Sequence, residues 1–486
     1  MAFPESEKEN QTTETVRQEV KTEGKFDRSI VEGPLGKAIW KIGAPTILAN
    51  IFGGIQGLVD HIIVGNVVGK YGNAAIGVSW QIFLVVVVLI ASIFTGMGIM
   101  VSRFAGASEP DKVNRTVYQA FITALFFSFL IIAPTGYFLS PYLLKFVNSE
   151  PRVQIEALPY LRIMFLYNIG LMIFFMLAGA LRSAGDAKTP MVLGITMTVM
   201  NLIFNIVLIS GFGPIPAFGT KGAAMGTCIA SGIIGVYSFI KLCGERWVVS
   251  FKGLKSYAPE PVVIRKLFQF GLPAGFQGIA MNIGGVMLLS FIGSLKDSAD
   301  AQAAYAVAYG QLFSFVTWIS VGLMGAAAAI TGQNIGAGNI ERAGQAVRTA
   351  ARFALAVAVA LGVIYFFFAG QLLAIFGLTG SHVTELGVSL LRVLAVSGLF
   401  VSVALTYTGG LQGSGDTKSP LFISIISQVI MPLSICFITQ ATVGLSAIYI
   451  WFAILAGHAT RCVLTVLRFN QNKWQGIKID LAKSAG

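Results

Sequence analysis

The chain has 486 residues, of which 55% are hydrophobic and only 12% charged, about half the charged fraction of a soluble globular protein. This composition, with 55 Gly and 36 Phe, excludes an ordinary soluble domain and fits a polytopic helical membrane protein, where glycine allows close helix approach. The net charge of +12 would suit nucleic acid only on a basic soluble domain; none is present, and a positive-inside bias accounts for it.

Residues 1–33 are polar and rich in Glu, Lys, Thr and Gln. They predict a disordered tail and no signal peptide, because no apolar h-region follows the first Met. After Pro34 come twelve apolar segments, at about 37–64, 74–103, 115–140, 157–181, 189–212, 221–243, 265–293, 302–333, 345–369, 386–411, 419–440 and 445–468. Each is long enough to span a bilayer as a helix. The runs are continuous and do not alternate with period two, which argues against a β-barrel. The expected organisation is a tail (1–33), an N-terminal six-helix bundle (34–245), a linker (246–263), a C-terminal six-helix bundle (264–468) and a polar, basic tail (469–486).

The first segment stands out. Ile42 to Gly65 is apolar apart from Pro45, Asn50, Gln56, Asp60 and His61 among a few small or polar residues. Asp60 is the one carboxylate set well inside any of the twelve segments, and an ionisable group there is a functional candidate by default. Burial disfavours the charged form of a carboxylate, which makes it a usable proton carrier and, when charged, a counter-ion for a cationic substrate. The competing reading puts Asp60, about 22 Å along the helix from Pro45, at a hydrated membrane surface. Pro45 and the nearby glycines Gly53, Gly54 and Gly57 would let the helix bend.

Further along, Asn201 and Asn205 share a face of the fifth segment at i,i+4 and are expected to meet Asp60 or each other. Gln56 lies one turn before Asp60 and joins this coupling set. Asn50, Tyr167, Asn168, Met172 and Thr227 are weaker candidates for substrate or cation contact. Phe174 and Phe175 would suit an apolar drug surface. Cys228, Cys243, Cys436 and Cys462 show no metal-ligand spacing, and no zinc, phosphate-loop or Ser-His-Asp constellation appears. Neither an enzyme nor a metal site is expected.

The two halves repeat at an offset of about 230 residues. Gly185, Asp186, Lys188 and Pro190 match Gly415, Asp416, Lys418 and Pro420; Gly106-Ala107 matches Gly336-Ala337; Pro45 finds Pro273 at 228. Gly185 and Gly415 are expected to end helices in a left-handed cap, with Asp and Lys facing the interface. Six helices per half return the chain to the same side, so the repeats are parallel and flank a central cavity. With both ends of the chain cytoplasmic, 27 of the 34 Lys and Arg fall on one side and seven on the other, supporting that topology.

Residues 35–470 resemble the multidrug and toxic compound extrusion (MATE) family. The resemblance rests on Pro45 with Asp60, on the G-A-x-x-x-D-K loop after the second segment, and on the paired R-S-A-G-D-A-K-T-P and Q-G-S-G-D-T-K-S-P loops. It implies export of organic cations or amphipathic drugs by alternating access, in exchange for protons or sodium ions, across the inner (plasma) membrane by a monomer. No other cofactor is implied. The NorM-like branch carries acids in the seventh and tenth helices; 276–285 holds no Glu and 397–410 no Asp here. The DinF-like branch keeps its acid at the position of Asp60, with a second where this chain has Asn205. One acid with two Asn is a sparse sodium site, which favours protons over sodium. The rivals are a sodium-coupled exporter, a lipid-linked precursor flippase, which would need cations inside the cavity, and a membrane scaffold.

Overall fold

The computed structural model describes residues 26–479 except 148, 245 and 246. Among these the chain is helical, and it is a twelve-span all-α membrane protein. The spans are α1 (Leu35–Val67), α2 (Lys70–Gly106), α3 (Pro110–Phe146), α4 (Pro151–Leu166 with Ile169–Ser183), α5 (Lys188–Ser210), α6 (Thr220–Leu242), α7 (Pro261–Gly293), α8 (Ser298–Gly336), α9 (Ile340–Phe367), α10 (Ser381–Ser414), α11 (Lys418–Thr442) and α12 (Ala447–Asn470). All twelve predicted segments are present. Most run longer at both ends than hydropathy suggested, because the terminal turns carry polar residues that hydropathy does not register.

Departures from straight helices have local causes. In α3 and α11 the wide turns Phe127–Ile132 and Ile426–Ile430 precede Pro134 and Pro432, whose rings clash with the carbonyl one turn back and supply no donor. The two pieces of α4 meet at 55° around Tyr167 and Asn168. There Asn168 Nδ2 donates to the Phe165 carbonyl at 2.5 Å, a side-chain bond that competes with the helical ladder. By contrast, α1 is continuous through Pro45.

Two large apolar cores lie mainly one in each half, the first also taking in Leu267 and Phe270 of α7, and a third cluster joins the halves. In it Ile39, Ile42 and Ile47 of α1 meet Leu323, Ala326 and Ile330 of α8. Small residues set the distance between the halves. A Cβ on Gly106 would collide with the Gln333 carbonyl, and one on Gly336 with the Arg103 carbonyl. The two contacts are the same contact seen from either repeat, since Arg103 and Gln333, like Gly106 and Gly336, lie 230 positions apart. Arg103 Nη2 donates to the Ser414 carbonyl (3.0 Å) and Gln333 Nε2 to the Ser183 carbonyl (2.8 Å) at this same end. The halves are thus sealed at the end that carries the Gly-Asp loops.

Those loops take the expected left-handed glycines, with φ of 104° at Gly185 and 99° at Gly415. Asp186 accepts from Thr189 N and Oγ1 (3.0 and 2.5 Å), and Asp416 from Ser419 N and Oγ (3.2 and 2.9 Å), so both acids cap the next helix. Only Asp416 is buried. It also accepts from Arg468 Nε and Nη2 at 2.9 and 2.8 Å, rather than facing the interface as expected.

Two other expectations are corrected. The predicted tail 1–33 is folded from Phe26 onward: Ile30 and Val31 are buried, and Asp27 pairs with Lys41 of α1. Burial alone would raise the Asp27 carboxyl, but hydrogen bonds from Lys41 and Ser29 outweigh it and hold the group below its ordinary value. The C-terminal tail docks back through Trp474, which is buried and donates to the Phe469 carbonyl at 2.9 Å. Composition registered the charges of these segments and not their few anchoring apolar residues. Residues 1–25 and 480–486 lie outside the described residues. The linker expected over 246–263 is strapped to α3 by Arg115–Glu260, by Gln119 Nε2 to the Ala258 carbonyl (2.9 Å), and by Asn114 Oδ1 accepting from Ser250 N (2.9 Å).

Replacing either Gly106 or Gly336 by Leu is expected to destabilise the protein by about 1–3 kcal/mol, the usual cost of overpacking. Thermal unfolding in detergent should show this as a lowered Tm for both variants. The control is Gly232→Ala in α6, whose added Cβ meets nothing within 4 Å; it should leave Tm unchanged or slightly raised.

Candidate functional site

A cavity of about 580 Å³ lies mainly within the N-terminal half, walled by α1, α2, α4, α5 and α6 and closed on one side by Trp318 and Val321 of α8. Its wall contains Asp60, Gln56, Asn50, Asn201 and Thr227. The aromatic side chains of Trp80, Tyr160, Phe174, Phe175 and Trp318 give it broad apolar faces.

Asp60 is held by one group. Asn205 Nδ2 donates to Asp60 Oδ1 at 2.6 Å and to Asn201 Oδ1 at 3.2 Å. Asn201 Nδ2 donates in turn to Thr227 Oγ1 at 3.0 Å, and Thr227 Oγ1 to the Ala223 carbonyl at 3.1 Å. The result is one hydrogen-bonded string from α1 through α5 to the backbone of α6. It follows from the i,i+4 spacing of two amides on one helix face. Both Asn side chains are completely buried, so their orientation is fixed by their partners. Asn205 Oδ1 is buried without a hydrogen-bond partner. It faces Gly226 of α6, where any Cβ would collide with it; only glycine leaves room for this amide.

Among the described residues Asp60 has no other hydrogen bond and no ion pair. A carboxylate with a single donor and access to a cavity has open acceptor capacity for a proton, a metal cation or a substrate ammonium. One turn away, Gln56 Oε1 accepts from Thr198 Oγ1 at 3.0 Å. His61 also lines the cavity, and its Nδ1 pairs with Asn73 of α2.

The remaining candidates are placed differently. Asn50 Nδ2 donates to the Trp318 carbonyl at 3.1 Å, joining the two halves. A Cβ on Gly54 would strike the same indole, so α1 accepts Trp318 only because position 54 is glycine. Tyr167 is exposed at the bend of α4, Asn168 is spent on the Phe165 carbonyl, and Met172 is buried in the N-terminal core. None of these three lines the cavity. Pro45 also stands outside the lining, although Thr46 is part of it.

Sequence reasoning missed several lining groups. Thr198 was within reach, since it lies three residues before Asn201 on the same face. Trp80, Tyr160 and Trp318 gave no signal, because an aromatic in a membrane helix reads the same whether it faces lipid or cavity. Arg182 falls at the end of the fourth apolar segment, where hydropathy groups it with loop cations, yet it lines the cavity.

The MatE family profile matches residues 45–207 and 273–438, one match in each half. The probable multidrug resistance protein NorM of Thermotoga maritima is 24% identical over 442 residues, covering 90% of this chain and 93% of that protein. The multidrug export protein MepA of Staphylococcus aureus is 23% identical over 432 residues, covering 87% and 91%. Among solved structures, a MOP superfamily transporter from Pyrococcus furiosus superposes with a TM-score of 0.85 at 20% identity, covering 92% of this chain and 98% of that one. An outward-facing multidrug resistance MATE family transporter gives 0.85 at 20% identity, covering 93% and 98%.

Gly226→Ala should displace the Asn205 amide and cost about 1–3 kcal/mol. Combining it with Asn205→Ala should recover part of that loss, because the clash is with the Asn205 side chain itself. Tm values of the two single variants and the double variant give the coupling directly; additive losses would place the strain elsewhere.

Proposed function

This chain belongs to the MatE family of multidrug and toxic compound extrusion transporters, and on that footing we propose that it is an antiporter exporting amphipathic organic compounds with a basic nitrogen in exchange for protons. The observation that carries the reading is Asp60. It is an acid in the wall of an aromatic-lined cavity, inside a membrane bundle, held by one amide and by no cation among the described residues. A positively charged substrate and a proton would compete for the same carboxylate, and that competition is exchange.

Each residue then has a task. The Asn205–Asn201–Thr227 string fixes one carboxylate oxygen and leaves the other for proton or substrate. The aromatic walls bind apolar rings of varied outline, since stacking is tolerant of shape. The Asn50–Trp318, Gly106–Gln333 and Gly336–Arg103 contacts join the halves in the present state and must part in the opposite one. Lys and Arg are concentrated at the sealed end, and the positive-inside bias makes that end cytoplasmic. On this reading the protein is an inner-membrane exporter with both ends of the chain inside.

A second reading has its own support. The orphaned Asn205 Oδ1, with Asp60, Asn201 Oδ1 and Thr227 Oγ1 nearby, is a set of oxygens in which a sodium ion could substitute for a proton. The two readings separate in proteoliposomes loaded with a fluorescent organic cation under imposed proton or sodium gradients. Proton-driven flux that falls by about tenfold or more in Asp60→Asn is the expected outcome. Flux on sodium alone would reassign the coupling ion. Full gradient-driven flux by Asp60→Asn would overturn the mechanism.

A further inference from the structure

The cavity contains a second charge that the exchange mechanism does not use. Arg182 occupies the last turn of α4, where a cation is favoured by the helix dipole, and its side chain lines the central cavity. It also lines a second cavity of about 370 Å³ between α2, α4, α8 and α10. Phe175 and Arg182 are the two lining residues the cavities share, so they stand at the junction. Across the interface from Arg182 is a bare stretch of α8: a Cβ on Gly325 would lie 3.4 Å from its Nε and 3.6 Å from its Cζ.

Among the described residues Arg182 makes no hydrogen bond and no ion pair. A guanidinium has five donors and no acceptor capacity. Taking one out of bulk water without a partner is costly, and the cavity is where a partner can arrive. Its planar fork matches a carboxylate through two parallel hydrogen bonds. Asp60 is at the other end. Thr46 and Asp60 both line the cavity from α1, and their separation of 14 residues corresponds to about 21 Å of helix. On α8 a Cβ at Gly322 would meet Ile47, next to Thr46, and one at Gly325, a turn further on, would meet Arg182, so Arg182 lies toward the Thr46 end. An acid and a base thus face one aromatic-walled space from opposite ends.

We propose that Arg182 is a carboxylate subsite, and that the preferred substrates are amphipathic zwitterions whose ammonium is directed to Asp60 and whose carboxylate is directed to Arg182. This rests on the cavity being the transport site. A pure cation gains at Asp60 but must share the cavity with an unpaired guanidinium. A zwitterion satisfies both groups and leaves no buried charge alone, so discrimination comes from repulsion as well as attraction. Phe175, which lines the same junction, supplies an aromatic side chain for the body of such a molecule.

The test uses the full chain in detergent and in proteoliposomes, with an aryl-piperazine carboxylic acid and its methyl ester, which share the amine and differ in the carboxylate. Trp80 and Trp318 line the cavity, so quenching of tryptophan fluorescence reports binding. Wild type should bind and move the acid about tenfold better than the ester, the worth of a charge-assisted pair. Arg182→Gln should abolish that preference by weakening the acid, while the ester, relieved of the guanidinium, binds and moves as well as in wild type or better. Arg182→Lys, which keeps the charge and loses the fork, should retain a reduced preference and serves if the Gln variant folds poorly. Equal loss for both compounds would make Arg182 structural and overturn the subsite. So would an undiminished preference in Arg182→Gln, or equal affinity of wild type for acid and ester with both transported. If wild type neither binds nor moves either compound, the transport reading falls and the subsite with it.

Discussion

A carboxylate inside an apolar bundle has to be satisfied by whatever the neighbouring helices provide, and here they provide one amide. The rest of the N-terminal half is arranged around that constraint. Asn205 reaches Asp60 at 2.6 Å because Asn201 and Thr227 hold it from behind, and because Gly226 leaves room for the amide. A longer string of donors would stabilise the charged form and bind a proton poorly. An entirely apolar surround would make the charged form too costly to visit. One donor and an open cavity lie between those limits, which suits a group that must alternate between two occupants.

The second constraint is the approach of the halves. Helices in lipid gain little from burying apolar surface, so close packing and backbone proximity hold them together. The glycines at 106 and 336 let each half take the other's backbone carbonyl at the sealed end. Because the sequence repeats, the two contacts are equivalent, and parting one parts the other. The C-terminal half keeps the architecture and changes the chemistry. Its buried polar groups include His458 and Arg461, where His458 stacks on Tyr309 and Phe313, and among the described residues no carboxylate enters the wall of the central cavity from that side. The repeat preserved the helices and the left-handed loop glycines, while the acid of the central cavity stands in the N-terminal half.

Arg182 alters the electrostatics of the cavity. Counting cations by segment ends put it with the cytoplasmic loops. Ala180, Leu181 and Ser183 in the last turn of α4 are buried, so a residue at the end of a span by hydropathy lies inside the protein by packing. The same displacement applies to Arg461, which hydropathy assigns to the end of α12 and the fold buries.

Much of this protein is written in its linear pattern. Twelve spans, the parallel repeat, the left-handed glycines at 185 and 415, and the pairing of Asp60 with the Asn201 and Asn205 face were legible, because each follows from a short-range rule: the length of apolar run that crosses a bilayer, the backbone angles glycine alone adopts, the 3.6-residue turn. What the chain order could not convey is which way each helix is rotated. Rotation separates Asn50, committed to the Trp318 carbonyl, from Gln56, which faces Thr198; it sends Met172 into the core and Phe175 into the cavity. It also folds Phe26 to Gly33 and Trp474 onto the bundle although their surroundings read as polar tail. Apolar residues in a membrane protein face lipid, core and cavity alike, so hydrophobicity carries no signal of direction. Only the packing of one helix against another decides which side chains share a space.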